Sequence, residues 1–125
     1  MTPANVLLLT LNYAPEPVGI GPYSAGLAEA LAERGHRVQV IAGKPYYPQW
    51  RVYPAFAGGG WQHGEEQGVA ITRCPHYVPA QPGGLKRILH LASFALTALP
   101  IALRAALRGK AQRPQVVMVI APALL

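Results

Sequence analysis

Residues 5–43, NVLLLTLNYAPEPVGIGPYSAGLAEALAERGHRVQVIAG, decide the fold, because they contain two strand patterns and the helix pattern that joins them. The apolar run at 5–11 is typical of a strand buried on both faces of a parallel sheet. A proline can open, and a glycine can end, the helix predicted near residues 22–34. Residues 37–43 alternate in polarity and then become apolar, which predicts the second strand of a βαβ unit.

The rest of the chain predicts two more strands and one long helix. Residues 44–68 are rich in Pro, Gly and Tyr, so we expect a long loop of the kind that carries function in compact domains. Short strands are predicted at 69–73 and 115–121, and a helix runs between them from Leu85 toward Arg108. The length suits one α/β domain, a parallel sheet with flanking helices. Because no covering helix follows the last strand, we expect the chain to be a fragment.

The composition restricts the partners that this chain can have. Apolar residues make up 51% of it, and the formal net charge is +6. This balance favours phosphate-bearing ligands or anionic membrane surfaces, and no nucleic-acid partner is expected. Cys74 is the only cysteine, which excludes an internal disulfide and indicates a half-buried structural thiol. The first eleven residues lack the features of a signal peptide, so the expected compartment is the cytoplasm.

The predicted long helix raises the question of a membrane. Its uncharged part, residues 88–103, would be about 24 Å long at 1.5 Å per residue. That is less than the ~30 Å hydrocarbon core, and Pro100 interrupts it, so we expect no transmembrane span. Its polar side chains share one stripe roughly 60° wide, formed by Lys86, His90, Ser93, Thr97, Arg104 and Arg108.

Two hypotheses remain for the apolar surface of this helix. It packs on the sheet and on parts of the protein outside this chain, or it also inserts shallowly at an anionic membrane surface. The two hypotheses do not exclude each other. In the second case the cations expected near lipid phosphates are Lys86, Arg87, Arg104 and Arg108.

The loop at residues 12–24 follows the first strand and carries a Gly-x-Gly pair. Glycines let the backbone approach a ligand, and the start of the next helix offers unpaired N–H groups to an anion. Nucleotide phosphate is therefore expected at Gly19, Ile20 and Gly21. A nicotinamide-dependent oxidoreductase is disfavoured, because Ser24 stands in place of its third glycine and no carboxylate follows the second strand.

Aromatic and polar side chains follow the other predicted strands. Residues 45–50, PYYPQW, lie where ligands bind in open α/β sheets, and their rings either stack on a sugar or polyprenyl chain or pack the loop onto the domain. The strand predicted at 69–73 is followed by side chains suited to an anionic acceptor, those of Arg73, His76 and Tyr77. The histidines have no second ligand at metal spacing, so no metal is expected. The candidate acceptor-binding residues are Glu16, Tyr46, Tyr47, Gln49, Trp50, Arg73, His76 and Tyr77.

Several segments resemble the amino-terminal domain of family 4 glycosyltransferases, most of all the colanic-acid type of exopolysaccharide glycosyltransferase. The segments are residues 12–16, 19–21 and 31–40, PYYPQW at 45–50, and YVPAQP at 77–82 before Leu85-Lys-Arg87. The resemblance covers essentially the whole chain. It implies a GT-B fold, in which two Rossmann-like domains face each other across a cleft. Residues 1–125 would form the amino-terminal, acceptor-side domain, with the donor-binding domain absent from this chain.

The resemblance also implies a function. Members of the family transfer a sugar from a nucleotide-sugar without a metal or other cofactor, and many use lipid-linked saccharide acceptors at the inner membrane face. In such enzymes the loop after the first strand can touch the donor diphosphate, and Gly19 and Gly21 match that position. The donor-side glutamates of the family have no counterpart before Leu125, so this chain alone is expected to be inactive. The alternative is a non-catalytic, membrane-associated binding module.

Overall fold

The computed structural model describes residues 4–17, 20–46, 49–57, 59–79, 83–107 and 113–120. Within these ranges the elements are β1 Asn5–Thr10, α1 Ile20–Glu33, β2 Arg37–Gly43, a 3-10 turn Pro54–Phe56, β3 Gln62–Glu66, β4 Val69–Cys74, α2 Gly84–Ala106 and β5 Val116–Ile120. The strands form one sheet in the order β3-β4-β2-β1-β5. All neighbours pair in parallel except β3 and β4. The predicted α/β fold class is confirmed.

The predicted βαβ unit is confirmed with small shifts at its ends. β1 pairs in parallel with β2, so that Asn5 lies opposite Arg37 and Thr10 opposite Ala42. The helix between them begins at Ile20 rather than at residue 22. Differences of this size arise because the local signals place a helix end only to within a residue or two.

The predicted loop at residues 44–68 is wrong in one part, because Gln62–Glu66 form the edge strand β3. This strand is polar (QHGEE) and mostly exposed, so it carries none of the alternation by which a strand is recognised in a sequence. It forms because its backbone pairs with that of β4. A two-residue turn connects the two strands. Both turn residues, Gln67 at φ 53° and Gly68 at φ 78°, have the positive φ that tight hairpins require.

The two helices pack on opposite faces of the sheet. On one face, Ala25 and Ala28 of α1 meet a cluster that includes Val6, Leu8, Val38, Val40 and Ile71. On the other face, Ala98, Ile101 and Ala105 of α2 meet Leu7, Ile41 and Cys74. Alanines at both contacts let the helix backbones approach the strands closely, which gives the dense packing of a protein interior.

Cys74 is fully buried in the contact beneath α2, rather than half-buried as predicted. Burial raises the pKa of its thiol to about 11. A thiol that stays protonated and hidden is a poor nucleophile, so the structural role predicted for this cysteine fits its surroundings.

The polar stripe of α2 faces the protein in the middle of the helix. Ser93 Oγ accepts a hydrogen bond of 2.8 Å from the Tyr77 amide, and Thr97 Oγ1 donates one of 2.6 Å to the Pro75 carbonyl. His90 Nδ1 lies 2.5 Å from the Tyr77 carbonyl oxygen. By length and composition α2 could span a membrane, but these bonds attach it to the loop that follows β4.

Gly43, at the end of β2, provides the first test. A Cβ atom there would lie 2.7 Å from both His76 Nε2 and Leu11 Cδ1, and 2.9 Å from the Leu11 carbonyl oxygen. We expect Gly43→Ala to destabilise the protein by about 1–3 kcal/mol, because buried atoms must shift to admit the methyl group. Chemical denaturation measures the change.

Gly26→Ala is the matched control. Gly26 lies exposed on α1, and a Cβ there meets nothing within 4 Å. Alanine is the better helix former, so this variant should be more stable by up to about 1 kcal/mol. Equal stability of Gly43→Ala and the wild type would contradict the close approach at Gly43.

Candidate functional site

The carboxyl ends of β1, β2 and β4 meet at one edge of the sheet. The pairing of β1 with β2 continues past Thr10 and Ala42, since the Gly43 amide donates a 3.2 Å hydrogen bond to the Leu11 carbonyl. Ligands of open α/β sheets bind at this edge. The residues that follow the three strands, which include most of the predicted site residues, therefore lie together.

Glu16 holds two of these segments in place. Its side chain is 2% exposed. Asn12 Nδ2 donates to its Oε1 atom at 3.0 Å, and the Tyr46 amide donates to its Oε2 atom at 2.8 Å. A buried carboxylate needs such donors, because losing water without compensation is costly. Glu16 thus positions the loop after β1 against the loop after β2; its contact with an acceptor stays a prediction.

The structure describes two of the three residues predicted to bind phosphate. Gly19 lies outside the described residues, Ile20 is half-buried at the start of α1, and Gly21 is buried. A Cβ atom at Gly21 would lie 2.8 Å from Glu16 Cβ and 3.1 Å from the Tyr13 carbonyl oxygen. The glycine at position 21 therefore has a packing explanation of its own, while the phosphate contact stays a prediction.

Arg73 is buried and joins three parts of the domain. Its guanidinium donates to the Ala14 carbonyl at 2.5 Å, and lies 3.4 Å from both the Gly43 carbonyl oxygen and Glu66 Oε2. It also lies 4.8 Å from the centre of the Phe56 ring. Burial lowers the pKa of the Arg73 guanidinium, and the Glu66 carboxylate acts in the opposite direction. These contacts give Arg73 a positioning role, and the predicted acceptor contact remains untested.

Five rings from three segments form what we call the aromatic cluster: Tyr46, Trp50, His76, His90 and Phe94. The buried Tyr46 ring is central, with its centroid 4.9 Å from Trp50, 5.6 Å from His76 and 4.7 Å from His90. His76 lies 5.1 Å from His90 and 6.3 Å from Phe94. Trp50 adopts a left-handed φ of 57°, a conformation that a bulky residue keeps only when its surroundings hold it.

The two histidines of the aromatic cluster are held in their neutral form. Burial lowers the pKa of His76 to about 4, and His90 acts in the same direction. Burial also lowers the pKa of His90. His76 Nε2 lies 3.1 Å from the Lys44 amide nitrogen. Among the described residues, His76 Nδ1 and His90 Nε2 are buried without a hydrogen-bond partner. Neither ring can carry a positive charge near neutral pH at low cost.

The predicted acceptor residues that the structure describes fall into three groups. Tyr46, Trp50 and His76 meet in the aromatic cluster, whereas Glu16 and Arg73 bond to other parts of the domain. Gln49 and Tyr77 are exposed, and Tyr47 lies outside the described residues. The sequence missed His90 and Phe94, because periodicity alone does not show which loop a helix face will meet. The one available signal was a histidine inside an otherwise apolar helix pattern.

The predicted membrane cations are also divided. Lys86 and Arg104 are exposed on α2, and Arg108 lies outside the described residues. Arg87 is half-buried, with its guanidinium 5.8 Å from the centre of the Trp50 ring. Arg87 therefore belongs to the side of α2 that faces the aromatic cluster, where cation–π attraction favours it.

An open cavity of about 450 Å³ lies beside the aromatic cluster. A cavity of about 680 Å³ lies at the other end of the strands, and its lining includes Asn5, Arg37 and Thr72. We place the candidate site at the smaller one, because the buried ionisable groups and the rings gather there. Within the described ranges, no three His, Cys, Asp or Glu side chains are grouped as metal ligands. The lining of the smaller cavity is Gln49, Trp50, Arg51, Val52, His76 and Val78.

Known proteins show clear similarity to this chain. The sequence model of the glycosyl transferase 4-like domain matches residues 18–124. Over 93 residues the chain is 48% identical to a protein of Escherichia coli (strain K12) assigned as the colanic acid biosynthesis glycosyl transferase WcaI. The match covers 74% of this chain and 22% of that protein, so the chain spans about a fifth of the relative's length.

Acid should destabilise the domain through the two histidines of the aromatic cluster. His76 has a folded-state pKa of about 4, below the 6.5 of a free histidine, so the unfolded chain binds the proton more readily between these values. Its stabilising contribution is complete above about pH 6.5 and falls with pH toward 4, by at most about 1.4 kcal/mol per pH unit. Denaturation midpoints from pH 7.5 to 4.5 measure the loss, to which His90 adds.

Two variants separate this effect from the titration of carboxylates. His76→Gln should flatten the profile in this pH range, because it removes one of the two bases whose pKa is lowered in the folded protein. His63→Gln, on the exposed strand β3, should keep the wild-type profile. Identical pH dependence in all three proteins would show that His76 is not held neutral by its surroundings.

Proposed function

The chain belongs to the glycosyl transferase 4-like family, and from this we propose that it forms the acceptor side of an enzyme that transfers a sugar from a nucleotide-sugar to a lipid-linked saccharide. The observation that supports the acceptor role best is the aromatic cluster at the carboxyl edge of the sheet, beside an open cavity. The relative's assigned role in colanic acid biosynthesis suggests synthesis of an exopolysaccharide or another cell-surface polysaccharide.

The aromatic cluster has the chemistry of a saccharide site. The half-buried Trp50 ring offers an apolar surface on which a sugar ring can stack, and Gln49 and Arg51 line the same cavity with hydrogen-bond donors. Tyr46 and His90 fix the position of the indole from the protein side. A platform that is rigid before the ligand arrives loses less entropy on binding.

The start of α1 would supply part of the donor site. It begins at Ile20, directly after the loop that Glu16 fixes at the same edge of the sheet. The backbone amides and the positive dipole end at the start of a helix suit a diphosphate. We propose that Gly19, Ile20 and Gly21 contact the donor phosphates, while the catalytic glutamates lie outside this chain. The basic net charge of +6 favours both phosphate-bearing substrates.

The direct test uses the full-length protein. Purified enzyme is incubated with labelled nucleotide-sugars and polyprenyl-diphosphate-linked saccharides, in EDTA because we propose no metal requirement. We expect label to appear on the lipid-linked product. If no donor and acceptor pair reacts while the protein still binds vesicles, the alternative function, a non-catalytic membrane-associated binding module, is favoured instead.

Trp50 provides a sharper prediction within that assay. Replacing it with alanine removes the stacking surface, so the KM for the saccharide acceptor should rise on the order of tenfold. The KM for the nucleotide-sugar should stay unchanged, because the proposed donor contacts lie at the start of α1. Initial rates over a range of acceptor concentrations measure the effect.

Trp50→Phe is the matched control, since it keeps an aromatic ring and should recover most of the acceptor affinity. Thermal unfolding of both variants checks that the aromatic cluster still packs. An unchanged acceptor KM in a folded Trp50→Ala protein would refute the acceptor role of this ring.

A further inference from the structure

Two of the five rings in the aromatic cluster are ionisable. The centroid of the His90 ring, on α2, lies 4.7 Å from that of Tyr46 and 5.1 Å from that of Trp50. The His76 ring, from the loop after β4, lies 5.6 Å from Tyr46 and 5.1 Å from His90. Each histidine therefore contacts the Trp50 ring directly or through one other ring. These contacts join segments of this domain to one another, so they do not depend on what lies against its outer surface.

The backbone provides a partner for only one nitrogen of each imidazole. His90 Nδ1 lies 2.5 Å from the Tyr77 carbonyl oxygen, which can only accept, so this nitrogen carries the hydrogen. His76 Nε2 lies 3.1 Å from the Lys44 amide nitrogen and 3.2 Å from the Lys44 carbonyl oxygen. The second nitrogens, His90 Nε2 and His76 Nδ1, are buried, and the described part of the chain gives them no hydrogen-bond partner.

A proton taken up by either ring would create a charged N–H group without an acceptor. An imidazolium carries a hydrogen on both nitrogens, whereas a neutral ring carries only one. The buried Nε2 of a charged His90 and the buried Nδ1 of a charged His76 would both be N–H groups. Burying an unpaired donor is costly, and burying a charged one costs more. Attraction to the Tyr46 ring offsets part of this cost but supplies no acceptor.

The charges around the two rings also oppose a further positive charge. Burial lowers the pKa of both rings most strongly, and at His76 the neighbouring His90 and Lys44 act in the same direction. Arg87 does so at His90, whereas hydrogen bonds to backbone carbonyls raise both pKa values. Among the described residues no carboxylate bonds to either ring, since Glu16 bonds to Asn12 and to the Tyr46 amide. The other ionisable residues that contact the rings or line their cavity are Tyr46, Tyr77 and Arg51.

Trp50 depends on its neighbours for its conformation. Its φ of 57° lies in the left-handed region, which a bulky residue keeps only where contacts hold it. These contacts include the Tyr46 ring at 4.9 Å, the His90 ring at 5.1 Å and the Arg87 guanidinium at 5.8 Å from its own ring. A charged His90 would have to move toward water. Trp50 would then lose the ring that holds it from the side of α2.

We propose that His76 and His90 are positioning residues whose uncharged form keeps Trp50 in place, so that a proton on either ring lowers the affinity for the saccharide acceptor. The inference rests on the proposed function, because it takes Trp50 as the surface on which the acceptor stacks. Neither histidine has to touch the acceptor. Two phenylalanines would fill the same positions without responding to acid, so the histidines make acceptor binding depend on pH.

The test is the acceptor KM of the full-length enzyme from pH 7.5 to 4.5. The acceptor requires neutral rings, so its KM should be constant above about pH 6.5 and should rise below it, where the folded protein begins to take up protons. The rise should be at most about tenfold per pH unit for each proton. The KM for the nucleotide-sugar should not follow it, because the proposed donor contacts lie at the start of α1. Thermal unfolding at each pH shows whether the protein is folded.

His90→Phe and His76→Phe keep a ring at each position but cannot take up a proton. Each should reduce the rise in acceptor KM, and the double variant should remove most of it. His63→Phe, on the exposed strand β3, is the matched control and should keep the wild-type profile. His76→Phe retains the bond from His90 to the Tyr77 carbonyl, so it serves if His90→Phe does not fold. A flat profile in the wild type, or a wild-type rise in the folded double variant, would overturn the proposal.

The fluorescence of Trp50 separates this inference from the proposed function. Subtracting the emission spectrum of Trp50→Phe from that of the wild type isolates the signal of this indole. Acid should shift the signal to longer wavelength, as the indole enters water, while the protein is still folded, and the double histidine variant should suppress the shift. The shift without any sugar transfer would refute the function and support the positioning role. Transfer with neither the shift nor a pH-dependent acceptor KM would refute the positioning role alone.

Discussion

The buried carboxylate of Glu16 is the interaction on which the candidate site depends. Its two oxygens accept hydrogen bonds from Asn12 after β1 and from the Tyr46 amide after β2. The Tyr46 ring in turn contacts Trp50, His76 and His90. One satisfied charge therefore sets the relative position of two loops and of the rings that they carry. Because a buried carboxylate without its donors is costly, the loops gain stability only in this arrangement.

The helix α2 links that site to the surface of the domain. His90 faces the aromatic cluster, and Ser93 and Thr97 bond to the loop after β4. These contacts use the polar side of the helix, so its leucines face outward. A single orientation thus explains two features, a rigid ring cluster at the carboxyl edge and an apolar surface beside it. The proposed saccharide site and this apolar surface are therefore two sides of one helix.

The elements predicted correctly from the sequence are those that depend on signals close together in the chain. The strands β1 and β2, the helix α1 and the loop between them follow from periodicity, glycine and proline within about forty residues. The strand β3 was missed because an edge strand needs backbone partners rather than apolar side chains. Glu16 and Arg73 were expected to meet ligand, yet the structure shows them bonded to groups up to 59 residues away in the chain.

By itself the sequence determined the βαβ unit, the α/β class and the resemblance to a glycosyltransferase domain, because these depend on local patterns and short motifs. Only the tertiary structure decided which way α2 faces. The polar side chains of this stripe can form hydrogen bonds either with water or with a neighbouring backbone, and the sequence does not distinguish the two. The backbone groups of Pro75 and Tyr77 needed partners, and α2 supplied them from 13 to 22 residues away. That long-range demand turned the middle of the polar stripe toward the protein and left leucines of α2 exposed in this chain.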